Sequence, residues 1–195
     1  MIIVGIDLAG SFKRDTGICI LNEKLFAKTM IVHTDKEIIT LIDKVKPSLI
    51  AIDAPLSLPY GRKSLDEKNN IHFRECDKML LRMGIKFFPI TLGPMRMLTK
   101  RGIKLKNILE SKGYRVIEVY PGGAQDILGI PRKSHGLHEL RKGLERLGIK
   151  GIDRETTGDE LDAVTAAYVG YLFLKNEAML LNGKDGCIVM PRYDV

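Results

Sequence analysis

Two runs of aliphatic residues, Ile2-Ile3-Val4-Gly5-Ile6 and Leu49-Ile50-Ala51-Ile52, each end on an aspartate, Asp7 and Asp53. Runs without polar alternation fit strands covered on both faces, as parallel strands in α/β sheets are. A carboxylate closing such a strand is costly to bury without compensation. Open α/β sheets bind ligands beyond the carboxyl ends of their strands. If the two strands lie side by side and parallel, Asp7 and Asp53 enter one crevice, where they need a shared proton or a shared cation. Taken singly, each aspartate also suits the cap of a following turn; the repetition favours a shared site.

Val116-Ile117-Glu118 repeats the pattern with a glutamate. Glu118 is either a further ligand or a structural acid that meets a Lys or Arg. The fourth acidic segment, Asp159-Glu160-Leu161-Asp162, opens a helix read from about Gly158 to Asn176, with Leu161, Val164, Thr165, Tyr168 and Leu172 on its core stripe. Thr157-Gly158-Asp159-Glu160 fits a capping box, which assigns Glu160 to the helix start. Asp159 and Asp162 lie on one side of this helix. Asp162 is unexplained by capping and stands beside the small Ala163, which permits close approach to the sheet. Without a Cys or His cluster, hard oxygen ligands favour Mg²⁺ or Mn²⁺ over zinc. Cys19, Cys76 and Cys187 are widely separated and read as inert thiols, and His135 and His138 lack a third ligand.

The remaining pattern gives the order of elements. Strands are read at 2–8, Thr16 to Leu21, Lys24 to Val32, Leu49 to Asp53, Arg115 to Tyr120 and Cys187 to Met190. Asp35 to Lys46 reads as an amphipathic helix stopped by Pro47, with Ile38, Leu41, Ile42 and Val45 inward. Further helical turns are read over 72–83, 96–112 and 136–147, and a helix begins near Ala124 after the Pro121-Gly122-Gly123 turn.

A chain of 195 residues, 45% of them hydrophobic, suits one domain spanning 1–195. The long excursion after Asp53 is read as a basic helical insertion at about 56–106. The net charge of +7 is concentrated there, which favours a polyanionic partner, DNA or RNA. Arg62, Arg74, Arg96 and Lys100 are its candidate phosphate contacts, unless they pair with Glu75 or Asp77. Phe87-Phe88 before Pro89 reads as core rather than as a base-stacking surface. No apolar stretch approaches a membrane span and the first residues lack the features of a signal peptide, so a cytoplasmic protein is expected. Abundant Lys, Glu, Ile and Arg with one glutamine, Gln125, suggest a heat-adapted source. Nothing in the sequence specifies an oligomeric state.

Taken together, Gly5-Ile6-Asp7-Leu8-Ala9-Gly10, Ile52-Asp53-Ala54-Pro55-Leu56, Arg74-Glu75-Cys76-Asp77, Glu118-Val119-Tyr120-Pro121 and Asp159-Glu160-Leu161-Asp162-Ala163 resemble the DUF429 family, described as predicted nucleases of ribonuclease H fold. The resemblance implies an α/β fold with a mixed sheet, an antiparallel hairpin followed by parallel strands, flanked by helices. It implies that Asp7 and Asp53 converge and that the late helix delivers Asp159 and Asp162. Holliday-junction resolvases of this fold carry Asp-x-x-Asp-Ala there, matched by Asp159, Asp162 and Ala163. No His lies near Asp159, so a histidine relay is not implied.

The leading expectation is a nuclease in which Asp7, Asp53 and Asp162, completed by Asp159 or Glu118, hold two divalent ions that cleave a phosphodiester. One alternative is a nucleotide-binding, phosphotransferase-like protein related to actin-like ATPases and sugar kinases, since Gly5 to Ser11 loosely resembles their first phosphate loop. Another is a non-catalytic module that binds nucleic acid through the basic insertion.

Overall fold

The computed structural model describes residues 1–86 and 88–192. Along the chain run β1 (Ile2–Asp7), β2 (Thr16–Asn22), β3 (Ala27–Val32), α1 (Asp35–Val45), β4 (Leu49–Asp53), α2 (Glu75–Arg82) and α3 (Gly93–Ser111). They are followed by β5 (Val116–Val119), α4 (Pro121–Ile127), α5 (Leu137–Arg146), α6 (Gly158–Leu174), β6 (Ala178–Gly183) and β7 (Gly186–Pro191).

Among the described residues the strands form one seven-stranded sheet in the order β3-β2-β1-β4-β5-β7-β6. The hairpin β2–β3 and its pairing with β1 are antiparallel, whereas β1, β4, β5 and β7 run parallel. This is the ribonuclease H-like arrangement, extended at its far edge by the antiparallel β6.

Strand alternation divides the core between the two faces. Ile3, Leu49 and Ala51 pack on one side with Leu161, Ala163, Val164 and Ala167 of α6. Val4, Ile6, Ile50 and Ile52 face the other side, where Ile38 and Ile42 of α1 meet Leu105 and Leu109 of α3. The central strands therefore read as unbroken apolar runs because both faces are covered.

Helix α6 is buried for most of its length, and two glycines seat it against the sheet. A Cβ on Gly5 would overlap the carbonyl oxygen of Ala163, and one on Gly17 that of Asp159. These close approaches bring the first turns of α6 over the ends of β1 and β2. The expected capping box is present: Thr157 Oγ1 accepts from the Glu160 N–H, while a Glu160 oxygen accepts from the Thr157 N–H and hydroxyl.

Three details differ from the sequence expectation. Pro121-Gly122-Gly123 is the first turn of α4, with Pro121 at the position where its missing N–H costs nothing. Strand β6 was not anticipated, because Ala178-Met179-Leu180-Leu181 lacks alternation and follows directly on a helix. Phe88, read as core, is 75% exposed; Phe87 lies outside the described residues.

Candidate active site

In the parallel pairing of β1 with β4, Asp7 stands opposite Asp53. The first turns of α6 add Asp159 and Asp162, and a 3-10 turn over Lys133–His135 supplies a cation. Lys133 Nζ lies 2.8 Å from Asp162 Oδ2, 2.9 Å from Asp159 Oδ1 and 3.4 Å from Asp7 Oδ2. Burial, opposed by Lys133 but reinforced by Asp162 and Asp159, pushes the Asp7 carboxyl up to about 7. Asp53 is raised well above the usual carboxylate range by burial, then by Asp7 and Asp162. Burial works against the Lys133 ammonium, but Asp7 and Asp162 outweigh it and hold it more firmly protonated than a free lysine.

Asp162 is held from its other side. Gln125 Nε2 donates to Asp162 Oδ1 at 2.7 Å and to Thr165 Oγ1 at 3.1 Å, and all three residues are buried. The sequence pattern marked neither Lys133 nor Gln125. Lys133 is one of many lysines, and only the fold brings it 126 positions back to Asp7. Gln125 did carry a signal: it is the chain's sole glutamine and sits just past the β5 acid.

Glu118 has a different setting. Arg74 donates from Nη1 to Glu118 Oε2 at 2.7 Å and from Nη2 to Oε1 at 2.5 Å, and the Leu56 N–H adds a bond of 2.8 Å to Oε2. The same guanidinium reaches Asp77 through Nη2 at 2.7 Å and through Nε, and Ser57 Oγ through Nη1 at 2.8 Å. Arg74 is 1% exposed. It therefore turns inward to acids, and both Glu118 oxygens are engaged by protein donors.

The other basic candidates divide in the same way. Arg62 is buried and donates to the carbonyls of Ser64, Ile71, Leu65 and Glu67 and to the side chain of Asn69, closing the loop it belongs to. Arg96 pairs with Asp66 on the surface. Lys100 is exposed and, with Lys104, lines a cleft at Gly10 and Ser11. The adjoining cleft shares Gly10 and Ser11 and leads to Asp7, Lys133 and Asp159. Adjoining this cleft across Met95 and Leu98, which line both, a cavity of about 540 Å³ is bordered by Asp53, Tyr120, Phe88 and Lys86, with Arg74 and Glu118 also in its lining.

The acids around Lys133 offer oxygen donors only, the chemistry that a hard divalent cation prefers. Among the described residues no group of three or more His, Cys, Asp or Glu is placed to hold a metal ion; the charge that these acids meet is the Lys133 ammonium.

Comparison with solved structures gives a similarity to the Thermus thermophilus RuvC structure, at 14% identity and a TM-score of 0.49, covering 90% of this chain and 97% of that one. No curated protein matches the sequence. No helix among the described residues is long and apolar enough to cross a membrane. Residues 5–185 match the family described as "Protein of unknown function (DUF429)". That match runs from β1 into the turn before β7 and takes in every acid of the cluster, so the chain belongs to the DUF429 family.

Proposed function

We propose that this chain is a metal-dependent nuclease that hydrolyses phosphodiester bonds of DNA or RNA. The observation that carries the reading is the gathering of Asp7, Asp159 and Asp162 around one cation position, with Asp53 in register beside Asp7. Asp7, Asp53 and Asp162 would hold Mg²⁺ or Mn²⁺, with Asp159 completing the set, and a metal held there would activate water and neutralise charge on the phosphorus centre. Glu118 serves structure instead, because Arg74 and the Leu56 amide occupy it.

The protein's own groups divide the remaining work. Gln125 fixes the rotamer of Asp162 from behind, which keeps one ligand oriented without adding charge. Lys133 neutralises the acids, and its side chain, 42% exposed, would have to give way to a metal entering there. The cleft from Asp7 past Gly10 and Ser11 to Lys100 and Lys104 guides the sugar-phosphate backbone by charge rather than by sequence.

The test is a cleavage screen of end-labelled single strands, duplexes, flaps, four-way junctions and RNA–DNA hybrids in Mg²⁺, Mn²⁺ or chelator. Metal-dependent cleavage of at least one of these is expected, with a loss of at least about a hundredfold in Asp53→Asn. Cleavage undiminished in Asp53→Asn, or no cleavage of any substrate with either metal, overturns the reading.

A further inference from the structure

The 540 Å³ cavity beside Asp53 has no role in holding the acids, yet it opens next to them. Its size is that of a small-molecule site. Phe88 stands in its lining at 75% exposure, and Tyr120 contributes a second ring. Met95 and Leu98 complete an apolar wall, while Lys86 brings a positive charge to it. The charged groups at the inner end, Arg74, Asp77 and Glu118, are bonded to one another, and no buried side-chain polar atom among the described residues lacks a partner. The cavity is thus built for a flat apolar group, with Lys86 and Arg132 in its lining to meet an anionic attachment.

We propose that this cavity receives one unstacked base of a nucleic-acid strand, with Phe88 as a stacking surface, while the phosphate of that nucleotide lies at Asp53. The inference rests on the nuclease reading for its phosphate and goes beyond it in naming the substrate feature recognised. Aromatic stacking accepts any base, because every base has a π face. Taking a base out of a paired stack costs a few kcal/mol, and least where the base is already unpaired. The enzyme therefore prefers strands with an unpaired nucleotide at the cut. An exposed phenylalanine on a cavity wall fits this role, since a ring that completed the core would be covered.

The probe is a pair of short single-stranded oligonucleotides, one with 2-aminopurine at a central position and one with an abasic site there, titrated with protein in chelator so that no strand is cut. Wild type is expected to bind the base-bearing strand on the order of tenfold more tightly than the abasic one and to change the 2-aminopurine fluorescence. Phe88→Ala removes that preference, and Ile90→Phe, which fills the cavity from a wall that the cleft at Asp7 does not share, does the same. Equal binding of both strands by wild type, or a fluorescence change and affinity untouched by both variants, overturns the base pocket. A parallel cleavage assay separates the two ideas. Cleavage without base preference leaves the nuclease reading standing and removes the pocket. Base-dependent binding without cleavage in any metal does the reverse. Absence of binding to either strand overturns the pocket as well.

Discussion

Two acidic clusters lie on neighbouring strand ends of one sheet, and they are built to opposite rules. Around Arg74, two carboxylates share one guanidinium, all three residues are almost wholly buried, and several hydrogen bonds fix the geometry. Around Lys133, the acids Asp7, Asp53, Asp159 and Asp162 face a single ammonium whose side chain is 42% exposed. The first cluster sets one cation against two acids and the second sets one against four, so the second is left shorter of positive charge. A cluster that is buried and bonded on every side serves the fold, whereas titratable groups whose ionisation is strongly shifted at an open cleft are the mark of a functional site.

The largest effect that separates them is on stability. Arg74→Met leaves Asp77 and Glu118 buried without their cation, a loss of about 3–5 kcal/mol for breaking a buried ion pair. At about 2–4 °C per kcal/mol for a chain of this size, the melting temperature should fall by roughly 10 °C. Thermal denaturation followed by circular dichroism checks this. A variant melting within a degree or two of wild type would show that the Arg74 cluster is not structural and would erase the contrast.

That contrast was only half legible in the sequence. Asp7, Asp53 and Glu118 all end apolar runs, so the pattern placed them together at the carboxyl edge of a sheet. Strand register then puts Asp7 opposite Asp53 and pairs Ile52 with Glu118. What separates their roles is the partner each meets, and partners come from distant segments: Arg74 lies 44 positions from Glu118, and Lys133 lies 126 from Asp7. Periodicity carries no information about such pairings. The capping box at Thr157 was readable because it closes within one helical turn. The seat of α6 on Gly5 and Gly17 depends on long-range contact, although the small Ala163 hinted at it. The exposure of Phe88 was hidden because Phe-Phe-Pro looks the same in a core and on a cavity wall.

A second, smaller effect has the opposite sign. In the unfolded chain Asp7 ionises near its ordinary 3.8, whereas in the fold it keeps its proton to about 7. The folded state binds the extra proton between these values, so this stabilising contribution is present at low pH and lost as pH rises toward and through 7. Asp7→Asn cannot ionise. In chelator it should match wild type near pH 4 and exceed it at pH 8 by about 2 kcal/mol, or roughly 4–8 °C in melting temperature. Melting curves across that range test this. A variant less stable than wild type at pH 8 would place Asp7 with the structural acids and set it beside Glu118.

The smallest effect concerns the cation itself. Lys133 Nζ sits within 3.4 Å of oxygens on Asp7, Asp159 and Asp162, so a divalent ion entering there meets a like charge and must displace it. The cost is limited, because ion pairs of a side chain this exposed are each worth at most about 1 kcal/mol in solvent. Removing the competitor with Lys133→Met should tighten Mg²⁺ binding by about tenfold, equivalent to about 1.4 kcal/mol, as read by calorimetry. Asp53→Asn should weaken the same binding, and Arg74, locked between its own acids, should have no counterpart effect. Unchanged or weaker Mg²⁺ binding in Lys133→Met would mean that the ammonium belongs to the site as a permanent charge. The Lys133 cluster would then follow the same rule as the Arg74 cluster, with an internal cation matched to its acids and no place for an external one.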